Sequence, residues 1–422
     1  MEATLTVEPV PRLGSRALLL LWAAALAIRL AAASYGGLGQ SRFGDARYDI
    51  ATARAIVETG HYPARTKAIL HRPPGYPFFL VAASLGHPEQ IARDKIASAA
   101  ASALAAPLLA ALSARLFRRR GLALATGAAA AVHPGFLAIG ADVMTETTFL
   151  PLLLLAGLFL LAATDRPSST LALGAGFLLA LAALTRPSAL VIAPLLAAPL
   201  ADRRWPMRAR VHLAAAAVFA FALGLVPWTV RNVLVYHEVL PFGPEGSAPF
   251  FDGNSKWANR MYEVEDRQDI APLALAIQQD KLERLKSLDP SVLASPSRRS
   301  LALVRFALDD LQADPAGARR LYLRKIWHWL RPYPTLFWGL PIVIGLGALY
   351  TALYVFSAIG FARAPRRGTV LFAAAVLALS MALHVALLVL WRYRIPYADP
   401  ILLLFGLFGA FDTLGRRWAQ PS

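Results

Sequence analysis

Cysteine is absent from all 422 residues. Its absence excludes disulfides, thiolate nucleophiles and thiolate metal sites, and leaves any outward-facing loop indifferent to an oxidising compartment. Charge is scarce too: Asp, Glu, Lys and Arg make up 16% of the chain, against about a quarter in ordinary soluble domains. The eight histidines are scattered. With no H-E-x-x-H or comparable spacing they give no support to an all-protein zinc site, and His133, His328 and His384 read as packing or interfacial residues. No G-x-x-x-x-G-K-[ST] loop occurs, which argues against a nucleotide cofactor, a nucleotide-binding domain or an ATP-driven pump. Any reaction carried out here has to draw its driving force from the substrate.

What the chain does contain is apolar length. Hydrophobic residues form 57% of it, and the mean hydropathy is +0.49. Stretches near the ~20 residues needed to cross a bilayer recur from one terminus to the other. This predicts an all-α polytopic membrane protein with about ten transmembrane helices. The segments are about 15–35, 91–117, 121–140, 147–164, 169–185, 188–201, 211–228, 336–361, 369–391 and 399–415. The first, Ser15 to Tyr35, resembles a signal peptide, but its length and the internal Arg29 favour an uncleaved span. The net charge of +17 comes mostly from short clusters between these segments, where membrane topology explains it without nucleic acid. Arg118-Arg119-Arg120, Arg166, Arg203/Arg204/Arg208/Arg210, Arg363/Arg366/Arg367 and Arg416/Arg417 all fall on one side if the amino terminus is cytoplasmic, as the positive-inside bias requires. The implied location is the bacterial inner membrane, with the long loops in the periplasm.

The chain then divides into residues 1–36 with the first span, a first periplasmic loop over 37–90, a transmembrane core over 91–228, a large periplasmic loop over 229–335 and the carboxy-terminal spans over 336–422. Loops this long exceed what topology needs and are where function is expected. Pro73 to Leu85 is apolar but too short to span, and is predicted to be a re-entrant or interfacial helix. In the second loop Leu301, Val304, Leu308 and Leu311 recur at helical spacing, followed by a helix from Arg319 to Leu330. Both are expected to lie on the membrane. No internal repeat is visible.

Polar residues gather at the outer helix ends. Asp45, within Gly44-Asp45-Ala46-Arg47-Tyr48-Asp49 at the exit of the first span, is well placed as a general base, although a loop Asp here also suits a helix N-cap. In His71-Arg72-Pro73-Pro74-Gly75-Tyr76-Pro77 the prolines stiffen the backbone around Arg72, whose guanidinium can bind phosphate bidentately or snorkel at the interface. Lys67 is a second, weaker cation. Asp142 and Glu146, Arg186, Arg231-Asn232 and the run Trp391-Arg392-Tyr393-Arg394-Ile395-Pro396-Tyr397 complete the set. Singly each arginine suits a lipid-headgroup anchor, and Glu146 suits a helix cap; together they suggest a phosphate-binding cavity.

In their order these residues resemble glycosyltransferase family 39, the dolichyl-phosphate-mannose protein mannosyltransferase and aminoarabinose transferase group with its bacterial RgtA/B/C/D-like branch. The resemblance rests on Asp45 and Tyr48, R-P-P-G-Y-P from Arg72, Thr145-Glu146, Thr185-Arg186-Pro187, Pro227-Trp228-Thr229-Val230-Arg231-Asn232 and Arg392-Tyr393-Arg394-Ile395-Pro396. It implies the C-type membrane glycosyltransferase fold, with interfacial helices of the first loop above a cavity for a lipid carrier. It implies Asp45 as the catalytic base, and Arg47, Arg72 and Arg394, with Lys67 and Arg392, around the donor phosphate. Tyr48, His71, Tyr76, Glu146, Arg186, Arg231, Asn232 and Tyr393 are expected to contact substrate. Ala46 and Asp49 stand where many relatives carry a further acidic residue, so a divalent metal is left open and no metal ligand is assigned. No soluble carboxy-terminal domain is expected, since seven residues follow the last apolar segment.

The expected partners are a polyprenyl-phosphate sugar donor, membrane lipids and an acceptor that is lipid A, a polysaccharide or a protein. A polyprenyl phosphate is already a good leaving group that arginines can stabilise. A transporter or lipid-glycan flippase is the alternative, but it calls for ionisable residues within the spans and matching halves. A non-catalytic scaffold would need neither the stiff proline loop nor the outer arginines.

Overall fold

The computed structural model describes residues 10–39, 41, 46–63, 73–87, 90–243, 247–264, 271–334 and 339–418, and among these the chain is helical with no strand. Over their described residues the ten apolar segments are mainly helical, but they differ in how far they reach. Seven are long and apolar enough to cross a bilayer: Ser15–Tyr35, Ile91–Phe117, Glu146–Asp165, Met207–Tyr236, Leu340–Arg363, Arg367–Ala386 and Ala398–Gly415. An eighth is a pair, Arg120–Val132 and Pro134–Gly140, bent by 50°. The expected ten are therefore seven or eight by length and composition, and Ser169–Thr185 and Pro187–Ala201 are shorter. Pro187–Ala201 is a 15-residue 3-10 helix with prolines at 194 and 199 inside it. Proline lacks an N–H and clashes with the carbonyl four residues back, which disfavours α winding. At about 2.0 Å rise per residue the 3-10 segment extends about 30 Å, as far as twenty α-helical residues.

Two other boundaries differ from the hydropathy reading. The helix expected to end near 228 continues to Tyr236 and is closed by His237 in the left-handed region, φ 56°, so Arg231 and Asn232 lie in its last turns and not after it. The helix expected to reach 391 stops at Ala386; an irregular stretch leads to a separate turn, Trp391–Arg394. Hydropathy stays high through both places, so only backbone pairing reveals the ends.

The bend at His133-Pro134 has a specific partner. Pro134 cannot donate, and carbonyls at the end of Arg120–Val132 lose intrahelical partners. Arg29, fully buried in the first span, donates Nη1 to Ala131 O at 3.3 Å and to Ala25 O at 3.0 Å, and Nε to Ser102 Oγ at 3.0 Å. Close approach of Gly140 makes room for it: a Cβ there would lie 2.9 Å from Arg29 Nε.

The long segment after Tyr236 folds into short helices that share a core. Three start on the same local device, a capping Asp or Ser followed by proline: Asp289 before Pro290–Ala294, Ser295 before Pro296–Ala313 and Asp314 before Pro315–Leu330. The side-chain oxygen takes an orphan N–H of the first turn and the proline supplies none to be orphaned. Phe251, Tyr262, Ile277, Leu303, Leu321 and Trp329 pack together, so the helices expected to lie singly on the membrane form a packed unit. Leu301, Leu308, Leu323, Trp327 and Leu330 stay exposed on it, an apolar face suited to the membrane surface.

This unit docks on the free carboxy-terminal end of Arg367–Ala386. Gly253 sits directly against the Leu387 carbonyl. Asn254 Nδ2 donates to Ala386 O at 2.9 Å, and the buried Lys325 Nζ donates to Asn254 Oδ1 at 2.8 Å and Leu387 O at 3.0 Å. Tyr262 OH accepts the Val389 N–H at 2.9 Å. Burial lowers the Lys325 amine from 10.5 to about 7, and a neutral amine keeps both donated bonds. Between about 7 and 10.5 the unfolded chain holds the extra proton, so stability rises with pH across that window and is flat below it. Thermal unfolding of the detergent-solubilised protein should therefore move upward between pH 7 and pH 10, and Lys325→Met should remove that rise. An equal rise in the variant would show that Lys325 is not its source.

Candidate active site

The site is built where segments far apart in sequence meet at one end of the bundle. Helix Ala46–Thr59, which begins one residue after Asp45, packs on Gly75–Ala83 through Ala46, Ile50, Ala53, Tyr76 and Leu80, with Val143 in the same cluster. Gly75 in turn lies against Thr185: a Cβ on Gly75 would come within 2.6 Å of Thr185 Oγ1 and 2.9 Å of its backbone N. Only glycine allows that approach, and it brings the proline-rich run beside Thr185-Arg186-Pro187.

Arg186 then joins two further segments. Its Nη1 lies 2.7 Å from Glu146 Oε1 and donates to Thr145 Oγ1 at 2.8 Å, while Thr145 Oγ1 donates to Glu146 Oε2 at 3.1 Å. Its guanidinium also stands 5.2 Å from the Tyr393 ring and 5.9 Å from the Phe149 ring. Glu146 is buried, whereas the Arg186 side chain keeps 19% of its surface, so the pair presents its cationic member outward. Tyr397 OH donates to Ser188 Oγ at 2.8 Å, a second tie between the carboxy-terminal run and the start of the 3-10 segment.

Arg231 and Asn232 act one layer away. Arg231 Nη2 donates to Tyr62 O at 2.9 Å and Nη1 to Asn232 Oδ1 at 3.0 Å, and its guanidinium lies 4.9 to 5.5 Å from the rings of Trp228, Tyr62 and Tyr236. Tyr62 meets Trp228 edge-on at 4.7 Å and Phe78 at 5.9 Å. The motif thus clamps the middle of the first loop to the long helix. Asn232 is buried and donates to Leu240 O at 2.6 Å.

Arg47 is exposed and donates to Tyr48 OH at 2.9 Å. Arg392 is partly exposed, with its guanidinium 5.2 Å from the Tyr393 ring. Arg394, two residues on, is buried: Nη1 donates to Trp329 O, Arg331 O and Tyr354 OH at 3.2, 2.7 and 2.8 Å. Asp45, Lys67, His71 and Arg72 lie outside the described residues.

The structure adds buried charges that hydropathy passed over. Tyr76 OH is 2.9 Å from Ser98 Oγ, and burial raises its phenol well above the ordinary range, with Asp49 and Asp94 near enough to add to the shift. Tyr76 is therefore a neutral hydrogen-bonding group at any physiological pH. Lys95 Nζ donates to Gly37 O at 2.9 Å and stands 3.8 Å from Asp142 Oδ1, both side chains buried. The signal was the run Arg93-Asp94-Lys95 at the start of an apolar segment, because ionisable residues inside a span are costly. Asp399, also buried, accepts from Tyr350 OH at 2.6 Å and lies 3.8 Å from Arg394 Nε and 3.9 Å from His133 Nδ1. Among the described residues no three His, Asp or Glu side chains are grouped to hold a metal ion.

The segments joined by Gly75, Glu146 and Arg186 lie within one stretch of chain that matches a known family. Residues 71–228 match the family model of dolichyl-phosphate-mannose-protein mannosyltransferase. This is the family that the motifs resemble. Among solved structures the oligosaccharyltransferase of Archaeoglobus fulgidus, in complex with zinc and sulfate, is similar over 96% of this chain at 16% identity, with a TM-score of 0.56. The all-helical membrane glycosyltransferase fold is thereby shared. The match covers 50% of that chain, so the protein spans about half the length of the oligosaccharyltransferase. ArnT from Cupriavidus metallidurans bound to undecaprenyl phosphate is similar at 17% identity over 96% of this chain and 79% of that one, with a TM-score of 0.41. Its apo structure gives 17%, 94%, 77% and 0.41 in the same order. No curated protein matches the chain.

Two outcomes check the assembly. Glu146→Gln and Arg186→Gln should each lower the midpoint of thermal unfolding, and the double variant should lose less than the sum, a coupling of about 1–3 kcal/mol for a contacting pair. Strict additivity would mean that the two side chains do not interact. Gly75→Val should destabilise the protein by about 1–3 kcal/mol, because the packed Thr185 backbone has nowhere to move; an unchanged melting curve would show that the two segments do not touch.

Proposed function

We propose that the protein is an inverting glycosyltransferase that moves one sugar from a polyprenyl-phosphate carrier to an acceptor on the periplasmic side of the bacterial inner membrane. The observation that carries this reading is the convergence at one end of the bundle of the Gly75, Glu146, Arg186 and Tyr393 segments, three of them inside the family match. A transporter reading has no comparable support.

Asp45 is the base in this reading. It removes a proton from the acceptor hydroxyl as the acceptor oxygen attacks the anomeric carbon from the face opposite the phosphate. The bond between that carbon and the phosphate oxygen breaks, and the polyprenyl phosphate departs with the electron pair, inverting the configuration. No protein acid is needed, since the leaving group carries its charge as a phosphate that cations stabilise. Arg47 and Arg392 are the accessible guanidinium groups for it, with Lys67 and Arg72 of the first loop. Arg394, whose Nη1 binds Trp329 O and Arg331 O, holds the turn that presents Arg392 and Tyr393. Arg186, made outward-facing by Glu146, and Tyr393 line the adjoining subsite for sugar or acceptor hydroxyls, with Tyr48 and His71 on the loop side; Tyr76, expected to contact substrate, is fully buried against Ser98 and supports that side from behind. Lipid A, a polysaccharide and a protein are the acceptor classes to be tried.

The test is transfer of radiolabelled sugar from a panel of synthetic polyprenyl-phosphate sugars into membrane acceptors, with wild type and an equally expressed Asp45→Asn variant side by side. Transfer by wild type and a loss of about a hundredfold or more in the variant is the expected result. Equal transfer by both would remove Asp45 as the base, and no transfer from any carrier would sink the glycosyltransferase reading.

A further inference from the structure

The far end of the bundle carries a second cationic site. Glu146 opens and Asp165 closes one helix of 20 residues, which puts the two ends about 30 Å apart. At that far end Arg115 and Arg118 each approach Asp165 Oδ2 at 3.3 Å, and Arg366 approaches Asp165 Oδ1 at 2.9 Å. Beside them Arg363 pairs with Asp412 at 3.1 Å, and Arg119 lies 5.9 Å from the Phe408 ring. Five guanidinium groups therefore stand over two carboxylates. Arg118 occupies the left-handed region, φ 57°, a conformation costing a non-glycine residue about 1–2 kcal/mol. The turn it makes closes Ala105–Phe117.

These side chains enclose space. A cavity of about 380 Å³ is lined by Arg118, Arg119 and Arg363, by Phe117, Pro365 and Phe408, and by Asp412, whose carboxylate is held by Arg363. Membrane orientation requires only that cations be numerous on one face. It does not require them to line a cavity, nor two aromatic rings to share that lining. The cavity also sits where three spans come together, Ile91–Phe117, Leu340–Arg363 and the last helix, Ala398–Trp418. A free anion would need only the cations of this lining. An ester phosphate with its glycerol and first acyl carbons uses its apolar residues as well.

We infer that this cavity binds the head group of an anionic phospholipid, with the phosphate between Arg119 and Arg363 and the glycerol end against Phe117 and Phe408. Asp165 occupies Arg118, and Arg119, paired with no carboxylate among the described residues, is the group with most to gain from an anion.

The experiment uses the full chain in nanodiscs of phosphatidylcholine containing a minor fraction of phosphatidylglycerol. Native mass spectrometry counts the phosphatidylglycerol retained. Arg119→Gln/Arg363→Gln should lower retention about tenfold. Arg203→Gln/Arg208→Gln, in the loop and helix that meet Thr164 through Arg204 and Trp205, should leave it within about twofold. The single Arg119→Gln variant should lower retention about threefold; it breaks no ion pair with a described carboxylate and serves if the double variant does not fold. Unchanged retention in Arg119→Gln would overturn the site, and equal losses in both double variants would reduce the effect to surface charge. A second arm adds inorganic phosphate to phosphatidylcholine nanodiscs and reads the melting temperature. No shift is expected; a shift equal to that produced by phosphatidylglycerol and lost in Arg119→Gln would overturn the lipid in favour of a free anion.

Discussion

Backbone groups released by a helix break have no water to turn to inside an apolar bundle, so each break requires a polar side chain of its own. Here buried cations meet that requirement. Arg29 takes a carbonyl at the His133-Pro134 bend. Lys325, with Asn254, takes those left at the end of Arg367–Ala386. Arg394 takes two at the end of Pro315–Leu330. The last two sets hold the Trp391–Tyr397 run in place, and that run brings Tyr393 to Arg186 and Tyr397 to Ser188. The geometry of the candidate site thus depends on buried cations.

This division of labour explains why arginines of one motif differ so much. Residues two apart on a helix point about 200° away from each other. In Trp391–Arg394, Arg392 therefore remains accessible while Arg394 turns into the bundle. A similar sorting separates Arg231, sandwiched by aromatic rings and bonded to Tyr62 O, from Arg186, which shares its charge with Glu146 and keeps an open face. Counting outer arginines identifies an end of the bundle rich in cations, but not which guanidinium groups stay exposed there.

Close packing supplies the rest of the positioning. Gly75 against Thr185 and Gly253 against Leu387 are backbone-to-backbone approaches. The first joins helices Ala46–Thr59 and Gly75–Ala83 to the core, and the second joins the large helical unit to the carboxy-terminal spans. The capping prolines at 290, 296 and 315 start the helices of that unit at defined residues, but its place on the bundle follows from Gly253, Asn254 and Lys325.

The sequence by itself determined the solvent this protein lives in, the helical class, the ten apolar segments, the two long insertions and the motif residues, because hydropathy, helical period and capping are sums over neighbours along the chain. It also determined Asn254 and Lys325 as residues, but not that they would meet. Only the tertiary structure decided that Pro187–Ala201 winds as a 3-10 helix, that the helix from Met207 runs on to Tyr236, that Lys95 and Asp399 are buried, and that Glu146 is matched by Arg186. Those outcomes depend on which distant segments come into contact, and the desolvation of a charge is set by whatever closes over it in three dimensions.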